Sequence, residues 1–312
     1  MVNKNYCRDV SAVLVTYNPN TEVLHAVIQA VLDQVSNIFI VDNASSNCSF
    51  GWFDNFVGSP NVKIHLIKLA ENIGIGAGHN IGIKRAIEHG SKFVLLLDQD
   101  SQVELDLVAK LRSAYTALNK KGFQVAALGP QYRDAENGRL SRFVKVGMLR
   151  FTHCGCEDKA NVVEADFLVA SGSLLPVAAL KVVGLMDESL FIDHVDTEWC
   201  FRAKSKGLQI FGVCGAVMIH ALGEQRKVIW FLRKRTMPIH KSFRYYYMFR
   251  NSVLLYRRGY MPLSWKLADF VKCLKIVFFF SLAAEVRWSA LKMMYLGVVE
   301  GLRGVRGKRN GL

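Results

Sequence analysis

The sequence has no apolar run approaching the ~20 residues that a helix needs to cross a bilayer. The tail stretch 276–284 holds nine residues without a charge, and Lys272, Lys275 and Glu285 block any extension. A transmembrane helix is therefore not expected. The start, MVNKNYCRDV, has no apolar h-region, which predicts no signal peptide and a protein that stays in the cytoplasm. Cysteines are few and scattered, seven in all at 7, 48, 154, 156, 200, 214 and 273. An odd, dispersed set predicts free thiols in a reducing compartment, and Cys154-Gly155-Cys156 lacks the spacing of a zinc site. Internal repeats and low-complexity tracts are missing too. Acidic residues nearly vanish after position 224: residues 225–312 hold 19 Lys+Arg against 3 Asp+Glu, whereas 1–224 hold 21 against 23. The overall +14 thus comes from the tail. A near-neutral body with a basic, aromatic tail points to an anionic membrane surface rather than to nucleic acid.

A chain of 312 residues with 51% hydrophobic content is long enough for one large α/β domain plus an appendage. Apolar runs predict strands over 10–16, 38–41, 62–68, 93–97, 125–128 and 208–213. Helical spacing predicts helices over 21–35, 78–89, 103–119, 174–183 and 196–206. Looser antiparallel pieces fit 142–150 and 161–169. This alternation implies a mostly parallel sheet flanked by helices with right-handed crossovers. A soft boundary near 224 separates a body of 1–224 from a tail of 225–312, in which WFLRKR, RYYYMFRNSVLLYRRGY and KLADFVKCLKIVFFFSLAAEVRW are expected to be helical.

The chemistry gathers at the ends of these strands, where open α/β sheets bind ligands. Phe93-Val94-Leu95-Leu96-Leu97 stops in Asp98-Gln99-Asp100, and acids two apart on an extended chain point the same way. Such a pair suits a hard divalent cation, although in isolation it is equally two solvated acids in a turn. Thr16-Tyr17-Asn18-Pro19 and Asp42-Asn43-Ala44-Ser45 follow the first two strands, each also ordinary turn chemistry. After the third comes ENIGIGAGHNIG, residues 71–82. Its glycines would let backbone amides approach a phosphate at a helix start, but it is neither a dinucleotide fingerprint nor a Walker loop.

VTYNP, VDNAS, ENIGIGAGHNIG, LLLDQDS and FIDHVDTEWCFRAKSKG, in that order, together resemble the family 2 glycosyltransferases, and most of all the bacterial rhamnosyltransferases of polysaccharide assembly. The resemblance covers residues 10–220 and, more loosely, the tail. It implies a GT-A-type fold and an inverting, metal-dependent transfer. By this likeness Thr16, Tyr17, Asn18 and Asp42 form the nucleotide pocket, while Asn72, Gly74 and Asn80 shape the nucleotide-sugar cleft. Asp98 and Asp100 hold Mg²⁺ or Mn²⁺ against the diphosphate, and His220 stands where relatives place a further metal or diphosphate ligand. A lone satisfied histidine is an equal reading of His220. The family pattern Glu-Asp-x-Asp-x-Cys-x-Arg aligns with Val195 to Arg202 and puts the base at Asp196. Val195 and Glu198 depart from it, and Glu198 with Arg202 also reads as a helix-face ion pair. Ser171, Gly172, Asp193 and Glu198 are candidates for the acceptor side.

The resemblance implies transfer of L-rhamnose from dTDP-β-L-rhamnose onto a lipid-linked saccharide in O-antigen or capsule assembly. A UDP-hexose donor is the alternative. The tail is expected to lie in the inner face of the plasma membrane as basic amphipathic helices, with Trp230, Tyr245, Tyr246, Tyr247 and Trp265 at headgroup depth; helices packed on the body are the competing arrangement. A nucleotidyltransferase would want a basic residue in the first loop, and VTYNPNT has none. A non-catalytic basic membrane-binding protein would tolerate the loss of Asp98 and Asp196.

Overall fold

The computed structural model describes residues 5–47, 62–134, 138–156, 161–220, 226–231, 233–238, 240–283 and 287–311. The body is built on β1 (Cys7–Thr16), α1 (Thr21–Leu32), β2 (Val35–Asp42), β3 (Lys63–Lys68), α2 (Ile75–Glu88), β4 (Phe93–Asp98), β5 (Ser101–Val103), α3 (Leu107–Lys120) and β6 (Val125–Asp134). It continues through β7 (Phe143–Val146), β8 (Phe151–Cys154), β9 (Val162–Ala165), β10 (Leu174–Pro176), α4 (Val177–Val183), α5 (Val195–Ser205) and β11 (Gln209–His220). The main sheet runs β3-β2-β1-β4-β10-β6-β11-β5, with β9 on β11. Pairing is parallel through β3, β2, β1 and β4 and between β6 and β11; β10, β5 and β9 run antiparallel. The expected α/β sheet flanked by helices is present, with one core on each of its faces.

Leu174 to Pro176 is a strand rather than the first turn of a helix, because it fills the gap between β4 and β6 before α4 begins. Close approach explains the glycine run better than phosphate does. A Cβ on Gly82 would lie 2.3 Å from the Val13 side chain, and one on Gly78 would lie 2.9 Å from Val15. These glycines let α2 press against β1.

Two expectations fail. Cys156 and Cys214 form a disulfide, because β9 runs beside β11 and brings Asn161 C=O to Cys214 N–H at 2.9 Å. With Cα atoms 5.9 Å apart the two cysteines meet the geometric requirement, so the scattered spacing carries no argument for a reducing compartment. Cys7, Cys154, Cys200 and Cys273 are free thiols, and Cys48 lies outside the described residues.

The tail differs more. WFLRKR falls in a hairpin of β12 (Arg226–Phe231) and β13 (Arg233–Pro238), consistent with the strand preference of Val, Ile, Trp and Phe. Then come α6 (Ser242–Tyr256), α7 (Leu263–Ala283) and α8 (Arg287–Leu302). Tyr245, Tyr246, Tyr247 and Trp265 are at most 2% exposed, so they are core residues and cannot sit at headgroup depth; the Trp230 side chain lies outside the described residues. Leu254, Leu255, Met261 and Trp265 share a core with Trp199 and Leu190 of the body. The burial that holds the tail to the body is what removes these rings from the surface. Among the described residues no helix is long and apolar enough to cross a membrane.

Gly82→Ala gains ~1 kcal/mol of helix propensity but overpacks a fully buried valine, at a cost of about 1–3 kcal/mol. The expected net effect is a loss of about 1 kcal/mol, read as a lower urea midpoint with an unchanged slope.

Candidate active site

Register decides where the acids fall. Thr16 pairs with Asp42 and Val15 with Asp98, so the ends of β1, β2 and β4 share one edge of the sheet. Thr16 Oγ1 donates to Asp42 Oδ1 at 3.0 Å, Ser45 Oγ to the same oxygen at 2.5 Å, and Ser45 N–H to Oδ2 at 3.2 Å. Asp42, buried, thereby organises its own loop. Asn18, at φ 47°, accepts from Ser46 N–H through Oδ1 at 2.8 Å. Tyr17 N–H donates to Gln99 Oε1 at 2.8 Å, so the residue between the two acids ties their turn to the first loop. The sequence placed Gln99 and Asn43 in these loops without giving either a role; Asn43 Oδ1 accepts from Ile73 N–H at 2.9 Å.

Asp98 N–H donates to the Ser171 hydroxyl at 2.9 Å. Ser171 is fully buried and supports the acid from beneath rather than lining an acceptor face; Gly172 N–H donates to Leu96 C=O at 2.7 Å. Burial raises the Asp98 carboxyl to about 7, and the charges of Asp100 and Asp196 push the same way against Arg244. Two crowded carboxylates short of positive charge fit a hard divalent cation. No group of three or more His, Cys, Asp or Glu suited to a metal occurs among the described residues, so a cation on Asp98 and Asp100 would draw its remaining ligands from substrate phosphates and water. His220 ends β11 opposite Ser101, but its side chain lies outside the described residues.

Asp196 is the second residue of α5. Its Oδ1 accepts from Thr197 N–H at 2.6 Å and its Oδ2 from Ala170 N–H at 3.3 Å. Burial nevertheless raises its affinity for a proton, the hydrogen bonds from Thr197 and Ala170 opposing. Its field reaches both Asp98 and Tyr132, and the Tyr132 hydroxyl donates to Ser171 C=O at 2.8 Å. Asp196 on α5 therefore lies within electrostatic reach of Asp98 at the end of β4.

The segment before Asp196 is held in an unusual shape. Phe191, at φ 64° and ψ −64°, makes a γ-turn closed by Ile192 N–H to Leu190 C=O at 2.8 Å, a strained geometry. Asp193 and His194 also have positive φ, 63° and 64°. Asn251 of α6 clamps this segment, its amide donating to the carbonyls of Leu190, Ile192 and Asp193 at 2.8–3.0 Å. Arg250, fully buried, donates to Leu190 C=O at 2.9 Å and to Gly307 C=O at 2.5 Å. Arg244 pairs with Asp193 at 2.7 Å. On the other side, Ile75 N–H donates to Phe191 C=O at 2.8 Å, and a Cβ on Gly74 (φ 91°) would lie 2.6 Å from that oxygen. Asn72 Oδ1 accepts from Gly74 N–H at 3.0 Å, which shapes the same turn.

Two candidates do not join the cleft. Asn80 spends its amide on Met186 N–H, Met186 C=O and Glu188, which holds the start of this segment. Glu198 is fully buried and bound by Arg202 at 2.8 Å, Arg258 at 3.0 Å and the Tyr260 hydroxyl. It is a structural acid, as its i,i+4 spacing to Arg202 suggested. The tail residues Arg244, Arg250 and Asn251 carried no local signal beyond their place in an aromatic, basic helix.

The glycosyl transferase family 2 model matches residues 11–173, which takes in every strand end at this cleft from Thr16 to Asp98. The chain belongs to glycosyl transferase family 2. This glycosyltransferase is 30% identical to the dTDP-rhamnosyl transferase RfbF of Shigella flexneri over 96% of its own length and 97% of that protein's. Its fold is similar to the solved structure of the mannosyltransferase PcManGT from Pyrobaculum calidifontis in complex with GDP-Man and Mn²⁺, with a TM-score of 0.53 at 14% identity over 96% of this chain and 76% of that one. It is also similar to GalNAc-T7 crystallised with UDP, GalNAc and Mn²⁺, with a TM-score of 0.56 at 15% identity; there it covers 70% of its own length and spans 44% of that chain. The expected family and the GT-A-type sheet are both present.

Asn251→Ala takes one donor from each of three carbonyls in a strained turn, of which Leu190 C=O keeps Arg250 and Ile192 N–H. The transferase is expected to lose about 1–3 kcal/mol of stability and, because small displacements of a reacting group are costly, up to ~10² in kcat, with donor KM little changed. Urea unfolding and steady-state donor turnover check the two effects.

Proposed function

We propose that this glycosyltransferase moves L-rhamnose from dTDP-β-L-rhamnose to a saccharide hydroxyl with inversion at the anomeric carbon. The near full-length similarity to a dTDP-rhamnosyl transferase supports the donor. One structural observation supports the mechanism: the Asp98 carboxyl, at the end of β4, lies within electrostatic reach of both Asp100 and Asp196 of α5. Asp98 and Asp100 would hold Mg²⁺ or Mn²⁺, the latter present in the PcManGT complex, and the cation would supply positive charge against the departing diphosphate. Asp196 takes the proton from the incoming hydroxyl. Backbone amides of Thr197 and Ala170 steady its carboxylate without supplying a proton. A single base without a protein nucleophile gives one displacement and an α-rhamnosidic product. Thr16, Tyr17, Asn18 and the Asp42 loop form the nucleotide pocket, and the Asn72–Gly74 turn borders it.

The test is release of nucleoside diphosphate from a panel of nucleotide sugars with and without Mn²⁺. Turnover of dTDP-L-rhamnose that depends on the metal is expected. Turnover of a UDP-hexose with none of dTDP-rhamnose would overturn the donor assignment. Asp196→Asn is expected to lower kcat by ~10²–10⁴ with donor KM nearly unchanged. The base acts only when deprotonated, and burial raises its pKa, so the rate should rise with pH through an acid limb above the ordinary carboxylate value of 3.8.

The acceptor in this reading is lipid-linked, in cell-surface polysaccharide assembly, and the enzyme sits on the cytoplasmic face of the membrane through its tail. The buried tyrosines cannot make that contact. Leu263, Phe270, Leu274 and Phe278 of α7 are each at least 50% exposed and fall at helical spacing on one stripe, while Trp288 and Tyr295 of α8 are exposed a heptad apart. Lys275 and Lys292 are exposed beside them, a pattern suited to an anionic interface. Cosedimentation with phosphatidylglycerol vesicles is expected to be strong for the native chain and lost in the Phe270→Ser, Phe278→Ser double variant. Equal binding by both would sink this placement.

A further inference from the structure

After α8 the chain turns back along the body. Gly304 N–H donates to Gly301 C=O at 3.0 Å and Val305 N–H to Glu300 C=O at 2.9 Å, which closes the helix. α8 itself lies tightly on α6, since a Cβ on Gly297 would stand 2.4 Å from Tyr246 C=O. Residues 303–309 then run as a strap to the segment that leads into Asp196. Gly307 N–H donates to Ser189 C=O at 2.7 Å, and Arg309 N–H donates to the Tyr247 hydroxyl at 3.0 Å. The Tyr247 ring stacks on Phe191 with centroids 4.9 Å apart, and Phe191 C=O accepts from Ile75 N–H, the first of α2, at 2.8 Å. The strap thus bears on the residue that also borders the Gly74 turn.

One buried cation joins strap and segment. Arg250, fully buried, donates to neutral acceptors: Leu190 C=O at 2.9 Å, Gly307 C=O at 2.5 Å, and Asn251 Oδ1 at 2.9 and 3.0 Å. Its guanidinium lies 4.7 Å from the Tyr247 ring centroid. A buried charge is costly without such acceptors, and the guanidinium is a rigid planar fork. It therefore fixes Gly307 C=O relative to Leu190 C=O. The strap's remaining tie is weak by comparison, because Lys308 meets Glu71 at 3.9 Å between exposed side chains, a kind of pair that contributes little.

Arg303, Val305, Arg306 and Lys308 are exposed, so the strap buries little apolar area and adds little to the core. Its hydrogen bonds nevertheless gather on the strained turn. We infer that residues 303–309 are a positioning strap for the candidate site: Gly307, through Ser189 and Arg250, and Arg309, through Tyr247 and Phe191, hold the segment that leads into Asp196 on one side and the Gly74 turn on the other. The inference rests on the glycosyl-transfer reading and adds to its site a stretch of chain remote from it in sequence.

The experiment compares two substitutions of equal chemistry in the full chain. Gly307 and Gly311 have φ of 74° and 81°, and a Cβ at either would meet nothing within 4 Å, so alanine strains the backbone at both without a clash. Gly307 binds the segment; Gly311 lies four residues farther along. Each variant is titrated with dTDP, UDP and GDP, and release of the preferred nucleoside diphosphate from its nucleotide sugar is measured per folded molecule, the folded fraction coming from urea unfolding. Gly307→Ala is expected to weaken nucleotide binding about fivefold and to slow release about tenfold. Tyr247→Phe keeps the ring stack but removes the acceptor of Arg309 N–H, and should move both quantities the same way. Gly311→Ala is expected to stay within about twofold of the native chain on both. Equal behaviour of the two glycine variants, or a lower urea midpoint in Gly307→Ala with nucleotide affinity and release per folded molecule unchanged, would overturn the strap. A native chain that binds none of the three nucleotides and turns over no nucleotide sugar would instead overturn the transfer reading beneath it.

Discussion

One amide holds the candidate site in shape. Asn251 donates to three carbonyls of the segment 190–193, a stretch whose γ-turn and positive φ angles cost free energy that no local interaction returns. That segment positions Asp193 and His194, leads into Asp196, and takes the first N–H of α2 on Phe191. Freed of the clamp, it would relax, and the turn at Gly74 and the start of α5 at Asp196 would lose their common support. The tail is thus part of the candidate site, although its contacts there are almost all to backbone.

Charge imposes the second constraint. Asp98, Asp100, Asp193 and Asp196 crowd one cleft, and burial makes their mutual repulsion expensive. Arg244 offsets part of it, and a cation with its diphosphate suits the remainder. Part of the tail's large positive charge is therefore spent inward, on Asp193, Asp187, Glu198 and the carbonyls that Arg250 binds. What stays outside, next to exposed apolar residues of α7 and α8, is the portion available to a membrane surface.

Much of the sheet was legible because each core strand buries both faces and so reads as an unbroken apolar run, as in 10–16 and 93–97. Motif spacing singled out Asp98 and Asp196, which the structure brings within electrostatic reach of each other. Asn80, Gly78 and Gly82 misled: a buried amide tying Met186 and a glycine admitting a valine side chain look the same in sequence as ligand-binding residues. The aromatic tail misled for a related reason, since composition does not say whether a tyrosine faces a core or a lipid.

The sequence by itself determined the family, the α/β class and the strand ends that carry the acids, because these follow from local hydrophobic period and from residue types at fixed spacing. Tertiary structure alone decided the Cys156–Cys214 pairing, the inward burial of Tyr245 to Tyr247, and the clamp of Asn251 on the segment before Asp196. Each of these joins residues far apart in the chain through geometry that no local pattern encodes: a shared strand register, a packed helix face, and an amide placed against three carbonyls.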